Sequence, residues 1–362
     1  MTAPAAEAGA VADPASFRDA AGRVYQVGGR IFRTVNPSAA EDFDAFRATK
    51  LFDALVADGK LLAAEKIDPR ALGEWAAGAR YVLEHPRLPF ISYPYEWSFP
   101  LLKSAALLHL ELQLEALAQG LNFSDGSAYN LQFIGARPVF IDHLSFRRYR
   151  AGEVWEGYRQ FCEQFLCPLL LTAWTGVPFN ALYRGRMQGL PVAELKCLLP
   201  WRAYLSRRVL AHVVLHAALG NKGEAVAAAQ MTQGAMPKRA LVHMLTGLRD
   251  WVAALKPKGA GSSVWGDYES TRSYGAAETA GKHDFVRAFI AARRPAMLWD
   301  LGCNAGEFSL LALSAGAAVA IGFDGDHGAL NAAYARICDT GQRLTPLYAD
   351  LTDPSPAQGW AQ

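Results

Sequence analysis

The chain has 362 residues, which is long enough for two or three domains, and its 51% hydrophobic and 19% charged residues are typical of a globular protein. Its 36 basic and 34 acidic residues give a net charge of +2, so the composition lacks the strong positive charge of a nucleic-acid-binding protein. Five irregularly spaced cysteines without a C-x-x-C pair indicate neither a disulfide framework nor a zinc knuckle.

The chain is predicted to begin with a short tail, followed by a mixed α+β region over residues 17–150. Residues 1–16 are rich in alanine and lack the basic start and apolar core of a signal peptide, so we expect a disordered tail. Two β-rich runs flank Gly28-Gly29, which predicts a hairpin. Apolar residues at helical spacing predict helices over Pro37–Ala57 and Pro69–Leu83.

A group of polar residues follows a long helix predicted over Ser98–Gln119. Asn130 comes five residues after Asp125, and Asp142 follows a predicted β-hairpin. This spacing resembles kinase-like folds, and the resemblance implies that Asp125 lies near an acceptor hydroxyl while Asn130 and Asp142 hold magnesium. The chain departs from that family because it has no glycine-rich phosphate loop, no Val-Ala-x-Lys strand and no His-Arg before Asp125. The alternative is structural, with Asp125-Gly126 starting a turn and Asp142 ending a strand.

Residues 151–255 are predicted to be mostly helical, because apolar residues recur at helical spacing. His212 and His216 stand four residues apart, but Val213 replaces the glutamate of a zinc protease, so we interpret both as structural and predict no metal. No stretch has the roughly eighteen apolar residues that span a membrane. We therefore expect a cytoplasmic protein with no membrane or nucleic-acid partner. A Gly- and Lys-rich linker is predicted over residues 256–264.

The stretch Met297–Ser309 carries the strongest pattern in the chain. An apolar run ends at Asp300, a turn containing Gly302 and Gly306 follows, and a helical pattern begins after it. This order of strand, tight turn and helix is typical of a doubly wound nucleotide-binding sheet. Glycine at both positions allows backbone conformations that a side chain forbids. The G-x-x-x-G spacing differs from the G-x-G-x-x-G of dinucleotide-binding folds, and no Lys-Ser/Thr pair of a triphosphate loop follows.

Two further predicted strands each end at an acidic residue. Ala317–Phe323 leads to Asp324, about twenty residues beyond the glycine turn, where such folds place a carboxylate on a ribose diol. Asp326 is a rival for that role. After another helix, Leu344–Ala349 leads to Asp350. Acids at successive strand ends predict a ligand site at one edge of the sheet.

The motif Asp300-x-Gly302-x-Asn304-x-Gly306 resembles the first motif of class I S-adenosylmethionine (SAM)-dependent methyltransferases. The resemblance implies a Rossmann-like α/β domain over residues 265–362, with SAM as its cofactor. It also implies that the motif residues hold the methionine end of SAM.

The resemblance assigns the remaining cofactor contacts to residues in the turn and at the later strand ends. Cys303 lies within the turn as a small filler, Asp324 is expected at the ribose, and Asp350 and Leu351 are expected at the adenine. Metal ligands are not predicted here, and Asn130 and Asp142 are candidates only under the kinase-like interpretation.

The resemblance covers only part of a methyltransferase sheet. A class I sheet has seven strands by resemblance, whereas this chain reaches Gln362 soon after its third. The first strand is therefore expected to have an unpaired edge and partly covered apolar faces. We expect a truncated form of a longer enzyme, or a protein that a partner completes. The layout of the whole chain is similar to bacterial proteins related to nodulation-associated methyltransferases.

The sequence therefore predicts SAM-dependent methyl transfer to an unidentified acceptor. A sugar hydroxyl, a small metabolite and a protein side chain all remain open, and no catalytic base is assigned. One alternative is a non-catalytic protein that binds SAM or a partner. A kinase-like phosphotransferase in the N-terminal region is a second, and a nicotinamide-dependent oxidoreductase is a third that the glycine spacing disfavours.

Overall fold

The computed structural model describes residues 10–16, 19–220, 236–259 and 275–355. Within these ranges the chain is a mixed α/β protein. An antiparallel sheet and two small hairpin-like sheets lie in the N-terminal region, a helical region follows, and a small parallel sheet lies near the C-terminus.

The N-terminal sheet is antiparallel, with strand order β1-β2-β3-β5-β4. Gly28 and Gly29 both have left-handed backbones, with φ of 54° and 80°, and they close the predicted hairpin between β2 and β3. This prediction is confirmed. The five strands are β1 Val11–Ala12, β2 Val24–Val27, β3 Arg30–Val35, β4 Glu65–Ile67 and β5 Tyr81–His85.

The predicted disordered tail over residues 1–16 was wrong at its end. Val11 and Ala12 pair with Gln26 and Tyr25 as the edge strand of the sheet. Pairing with a distant strand orders this stretch, and composition alone does not reveal such pairing. Residues 1–9 lie outside the described residues.

The single helix predicted over Pro37–Ala57 is two helices, α1 Pro37–Arg47 and α2 Lys50–Ala57. Thr49 separates them because its backbone is extended, with φ −86° and ψ 149°. Its hydroxyl donates to the carbonyl of Phe46 at 2.7 Å, a local hydrogen bond that competes with helix continuation.

The helix predicted over Pro69–Leu83 was also wrong. A 3₁₀ segment occupies Pro69–Ala76, and the rest of the stretch enters β5. Gly73 and Gly78 both have positive φ, which interrupts any helix. Val82 and Leu83 are fully buried in a strand that pairs with both β3 and β4, so sheet pairing overrides the helical spacing.

Helix α3, Phe99–Ala118, confirms the predicted long buried helix. It is apolar on nearly all sides, which is typical of a helix in the middle of a core. Two antiparallel pairs follow it, β6 with β9 and β7 with β8. These strands are β6 Leu121–Phe123, β7 Leu131–Ile134, β8 Arg137–Phe140 and β9 Phe146–Arg148.

The region predicted to be helical is helical where it is described. Two π-helical segments each join consecutive α-helices of this region. Cys162–Leu166 joins α4 to α5, and Leu210–Leu215 joins α8 to α9. Among the described residues, none of the helices combines the length and the hydropathy that a membrane-spanning helix needs. The helices are α4 Tyr158–Phe161, α5 Cys167–Thr175, α6 Asn180–Arg184, α7 Val192–Leu198, α8 Arg207–Val209, α9 His216–Gly220 and α10 Lys238–Ala254.

The C-terminal sheet has three parallel strands in the order β10-β11-β12, connected by helices α12 and α13. Helix α11 precedes the first strand. Of the predicted linker, residues 256–259 are described and 260–264 lie outside the described residues. The elements are α11 Ala276–Arg293, β10 Leu298–Leu301, α12 Glu307–Ser314, β11 Ala320–Asp324, α13 His327–Ile337 and β12 Leu344–Tyr348.

The parallel sheet shares its core with the N-terminal region. Val319, Ile321 and Leu347 belong to the same hydrophobic cluster as the buried residues of α3. The hydroxyl of Thr345 in β12 donates to the carbonyl of Gly135, between β7 and β8, at 3.0 Å. The three-stranded sheet is therefore packed onto the body of the protein along its β12 side.

The outer edge of β10 has the exposure that the sequence predicts. Among the described strands, β10 pairs only with β11. Trp299 and Leu301 on β10 are 56% and 60% exposed. Phe90, from the connection between β5 and α3, covers part of the sheet face that carries Trp299. Its ring centroid lies 5.9 Å from that of Trp299 and 6.0 Å from that of Phe323.

Candidate functional site

The glycine turn lies where β10 ends and α12 begins. Gly302 and Gly306 both have φ of 80°, in the left-handed region that favours glycine. A Cβ on Gly306 would lie 2.8 Å from the side chain of Leu344, whereas a Cβ on Gly302 would meet nothing within 4 Å. Gly306 is therefore required by packing as well as conformation, and the space beside Gly302 is open.

The turn is fastened to the end of the neighbouring strand. The backbone N–H groups of Gly302 and Cys303 both donate to the carbonyl of Phe323, at 2.8 and 3.0 Å. Asn304 is also left-handed, with φ of 48°, and its side-chain oxygen accepts a hydrogen bond from the N–H of Ala305 at 2.7 Å. Asn304 is thus the third residue of the turn with an uncommon backbone conformation.

Asp324 faces this turn from the end of β11. Its Oδ2 accepts from the backbone N–H of Asn304 at 2.7 Å, and its Oδ1 accepts from the N–H of Asp326 at 2.8 Å. The rival Asp326 caps α13, because its Oδ1 accepts from the N–H groups of Gly328 and Ala329. Each carboxylate oxygen has two lone pairs, so Asp324 has capacity to accept further hydrogen bonds.

Asp300 lies on β10, two residues before Gly302. Its Oδ2 accepts a hydrogen bond from the hydroxyl of Ser309, in α12, at 2.6 Å. Burial raises the pKa of Asp300, and the negative charge of Asp324 raises it further. The hydrogen bond from Ser309 lowers the pKa but does not outweigh these two effects. The sequence predicted no role for Ser309, which is fully buried in the first turn of α12. The signal that could have found it is a serine that stands among the apolar residues Phe308, Leu310 and Leu311.

Cys303 occupies the inner side of the turn. Its Sγ lies 2.8 Å from where a Cβ on Gly322 would be, so the thiol fills the space above that glycine. Burial raises the pKa of the Cys303 thiol, which keeps it protonated at neutral pH. This position matches the small filler that the sequence suggests.

Asp350 and Leu351 follow β12 at the same edge of the sheet. The backbone N–H of Ala349 donates to the carbonyl of Asp324 at 3.0 Å, which brings the two strand ends together. Asp350 accepts from the hydroxyl and the N–H of Thr352, and the hydroxyl bond is the main reason that the pKa of Asp350 is lowered. Leu351 is 55% exposed. The structure therefore places both residues at the rim of the site, in a turn of their own.

An open cleft of about 600 Å³ begins at Asp300 and extends along α11. Its walls carry charges of both signs and aromatic rings. Beside the cleft, Nε2 of His283 lies 2.7 Å from Oε1 of Glu307, which ties α11 to the first turn of α12. The residues that line the cleft are Glu278, Gly281, Lys282, Phe285, Val286, Asp300 and Phe308.

The three residues of the kinase-like pattern also come together. The amide of Asn130 donates to both carboxylate oxygens of Asp125, at 3.1 and 3.2 Å. The hydroxyl of Ser145 donates to Asp142 at 2.6 Å, and Arg33 pairs with Asp142, also at 2.6 Å. We call these five residues the Asp125 cluster.

The charges of the Asp125 cluster are strongly perturbed. Burial raises the pKa of Asp125 to about 6, with the charge of Asp142 acting in the same direction. Burial also acts to raise the pKa of Asp142, but Arg33 and the hydrogen bond from Ser145 outweigh it and lower that pKa. Arg33, Ser145 and the N–H of Leu144 thus already contact the carboxylate oxygens of Asp142 that the kinase-like interpretation would give to magnesium. The described residues contain no group of three or more His, Cys, Asp or Glu arranged for a metal ion.

The histidine pair of the helical region contacts an aromatic residue. Nδ1 of His212 lies 2.6 Å from the hydroxyl of Tyr158, and the ring of His216 stacks on that of Tyr158 with centroids 5.1 Å apart. Burial lowers the pKa of both histidines. These contacts agree with the structural role that the sequence suggests.

No family model matches this chain. The chain is nevertheless similar over nearly its whole length to a bacterial nodulation protein. The nodulation protein NoeA of Rhizobium meliloti (strain 1021) is 41% identical over 350 residues, which are 96% of this chain and 73% of NoeA. An alignment of that extent includes both the Asp125 cluster and the glycine turn. The name of that protein refers to nodulation and specifies no reaction. The chain belongs to the family of the nodulation protein NoeA.

Proposed function

We propose that this protein transfers a methyl group from SAM to an acceptor that is not yet identified. The observation that carries the proposal is the position of Asp324. Its carboxylate lies at a strand end, 2.7 Å from the N–H of Asn304, in a turn held by two left-handed glycines. A strand end next to a glycine turn and a helix N-terminus is the usual place for a nucleotide-like ligand in an open parallel sheet.

The residues present fit the parts of SAM. Asp324 has the capacity to accept hydrogen bonds from two ribose hydroxyls, and such bonds to a charged acceptor are strong. The open space beside Gly302 allows a ligand to approach the backbone. The cleft at Asp300 offers both Glu278 and Lys282 to the charged groups of a methionine moiety. In this proposal Asp350 and Leu351 lie at the adenine.

SAM supplies an activated methyl group on a sulfonium, so the chain's task is to bind, orient and shield. Asp300 and Asp324 place negative charge on two neighbouring strands beside the turn, which favours a cationic ligand. Methyl transfer by in-line displacement gains most from fixing donor and acceptor in one geometry. The exposed aromatic ring of Phe285 and that of Phe308 offer apolar surface for excluding water from the cleft. No general base is part of the proposal.

Calorimetric titration of the intact chain with SAM tests the cofactor site. In Asp324→Asn, an amide oxygen still accepts one backbone hydrogen bond while the negative charge is lost. Losing a charged acceptor at the ribose should cost about 1.5–3 kcal/mol, or roughly ten- to a hundred-fold in affinity. Asp250→Ala is the control, since Asp250 is 55% exposed and pairs with the adjacent Arg249. Equal affinity in all three proteins would contradict the site.

A non-catalytic SAM-binding protein is distinguished by turnover. Incubation with methyl-labelled SAM and candidate acceptors, namely sugars, small metabolites and proteins, should release S-adenosylhomocysteine in the wild type and much less in Asp324→Asn. Binding without release of that product under any of these conditions would support the non-catalytic alternative.

The convergence of Asp125, Asn130 and Asp142 favours nucleotide binding in the N-terminal region as a second candidate function. It predicts magnesium-dependent ATP binding that Asp142→Ala abolishes and Asp324→Asn leaves unchanged. The ion pair between Arg33 and Asp142 would have to open for magnesium to enter. Absence of ATP binding with magnesium present would remove this candidate and leave the Asp125 cluster as a structural network.

A further inference from the structure

A surface segment about a hundred residues before the glycine turn in the sequence combines exposed apolar and basic side chains. It runs from the end of α7, through the 3₁₀ segment Trp201–Leu205, to the start of the π-helical segment after α8. We call residues 196–210 the basic–apolar segment. Ala203 and Val209 are fully buried and Leu199 is nearly so, and these residues fasten the segment to the core. The outward side chains are therefore presented by a fixed backbone.

The outward apolar residues are large and unusually exposed. Trp201 is 69% exposed, Leu205 74% and Leu198 48%. Leu210, at the end of the segment, is 43% exposed. Single exposed apolar residues are ordinary on a protein surface, but several within fifteen consecutive residues indicate an interaction site.

The same segment is strongly basic. Arg202, Arg207 and Arg208 are exposed and Lys196 is partly exposed, and the sequence contains no Asp or Glu between Glu194 and Glu224. Four positive charges thus stand on one short segment of a chain whose total net charge is only +2. The guanidinium of Arg202 lies 5.5 Å from the ring centroid of Trp201, so charge and apolar surface are adjacent.

We propose that the basic–apolar segment binds the surface of an anionic lipid membrane. Tryptophan and leucine side chains that project from a basic surface suit the boundary between head groups and acyl chains. Lys and Arg side chains extend towards anionic head groups while their apolar stems remain in the interface. A nucleic acid would pair with the basic residues but would leave the leucines without an apolar partner. Binding at the interface requires no membrane-spanning helix, so it is compatible with the finding on helix length.

The proposal differs from the expectation, drawn from the sequence, that the protein has no membrane partner. No membrane partner was predicted because no stretch is long enough to span a bilayer, and that reasoning does not address binding to a membrane surface. The inference is independent of methyl transfer, since none of its residues lines the cleft or the glycine turn. SAM binding and membrane binding can therefore fail separately.

Co-sedimentation of the full chain with lipid vesicles tests the proposal. One set of vesicles contains phosphatidylcholine alone, and the other contains about 30% phosphatidylglycerol to supply negative surface charge. We expect at least about tenfold stronger binding to the anionic vesicles, because the negative surface potential of the lipids attracts the basic residues. We also expect high salt to weaken it, because screening shortens the range of the attraction.

Two double variants separate the two contributions to binding. Trp201→Ser with Leu205→Ser removes the apolar contact, and Arg207→Gln with Arg208→Gln removes two charges. Each should weaken binding to anionic vesicles about tenfold or more. The matched controls, Trp75→Ser with Ile91→Ser and Lys50→Gln with Arg70→Gln, change residues that are likewise exposed. The controls should bind as the wild type does, and thermal unfolding verifies that all four variants fold.

Three results would overturn the proposal. The first is equal binding to neutral and anionic vesicles, or binding that neither test variant weakens. The second is concentration-dependent self-association without vesicle binding, lost on changing Trp201 and Leu205, which would assign the surface to a second copy of the chain. The third is tight binding to DNA or to a polyacidic peptide without vesicle binding, which would assign it to another anionic macromolecule.

Discussion

At the scale of single residues, the candidate site depends on backbone shape. The glycine turn uses three left-handed residues, Gly302, Asn304 and Gly306, and Asp324 fixes the turn through the N–H of Asn304. The two glycines are required for different reasons, because only Gly306 has a side chain in the space that a Cβ would take. Substitutions at the two positions should therefore have different effects.

Gly306→Ala should destabilise the protein more than Gly302→Ala. A left-handed alanine costs about 1–2 kcal/mol at either position, and at Gly306 the contact at 2.8 Å with Leu344 adds about 1–3 kcal/mol of overpacking. The free energy of unfolding by urea measures both. Gly247→Ala is the control, because this glycine lies inside α10 with nothing near its Cβ, and alanine there should be neutral or stabilising by about 0.5–1 kcal/mol. Equal losses at Gly302 and Gly306 would contradict the packing argument.

The Asp125 cluster predicts a pH dependence of stability. The folded-state pKa of Asp125 is raised to about 6, so the folded chain binds more protons than the unfolded chain between about pH 4 and pH 6. This carboxyl group therefore lowers the free energy of unfolding as the pH rises through that window, by something on the order of 3 kcal/mol. Asp125→Asn removes the titration. Relative to wild type, the variant should gain stability between pH 4 and pH 6, as denaturation at each pH would show.

The comparison with the variant isolates Asp125 from other groups. Asp142 has a lowered pKa and contributes in the opposite direction at lower pH, in both proteins. A difference between variant and wild type that stays constant from pH 4 to pH 7 would show that Asp125 is not perturbed.

At the scale of elements, the features with local signals were predictable. The hairpin at Gly28-Gly29 and the long helix α3 follow from turn residues and from a continuous apolar run. The order of strands and helices after Asp300 also follows from the sequence, although β11 begins at Ala320 rather than at Ala317. The first three residues of β5 fell within the helix predicted over Pro69–Leu83, because the pairing of β5 with β3 and β4 is a tertiary effect that the sequence does not reveal.

The contacts of the candidate sites were less predictable than their residues. The spacing in the sequence identified Asp125, Asn130 and Asp142. Arg33, which pairs with Asp142, lies about a hundred residues earlier in the chain, on β3. The bond between Ser309 and Asp300 depends on how α12 sits against β10. Sequence patterns indicate which residues share a strand end or a helix, and packing decides which atoms meet.

The connection between β5 and α3 should stabilise the parallel sheet. Phe90 contacts both Trp299 and Phe323, whereas the adjacent Ile91 is 48% exposed. Phe90→Ala should cost about 2–3 kcal/mol in the free energy of unfolding, somewhat less than truncation of a fully buried phenylalanine. Ile91→Ala should cost less than about 0.5 kcal/mol. If the two variants were equally stable, the sheet would not depend on this contact.

At the scale of the whole molecule, one hydrophobic cluster spans the N-terminal region and the parallel sheet. The similarity to NoeA also extends through both, over 96% of the chain. The two regions are therefore best studied together in the intact chain. The glycine turn and the Asp125 cluster are two candidate ligand sites in the same packed body. A measurement that resolves individual segments of the chain is therefore needed to show which of them binds a ligand.

Hydrogen–deuterium exchange of the intact chain, with and without saturating SAM, is the most direct test of the proposed site. We predict slower exchange in peptides that contain residues 300–309 and 322–328, because the ligand would cover the glycine turn and the end of β11. Peptides across residues 123–146, around the Asp125 cluster, should be unchanged. Unaltered exchange in the turn, or protection only at the Asp125 cluster, would contradict the assignment of the glycine turn as the SAM site.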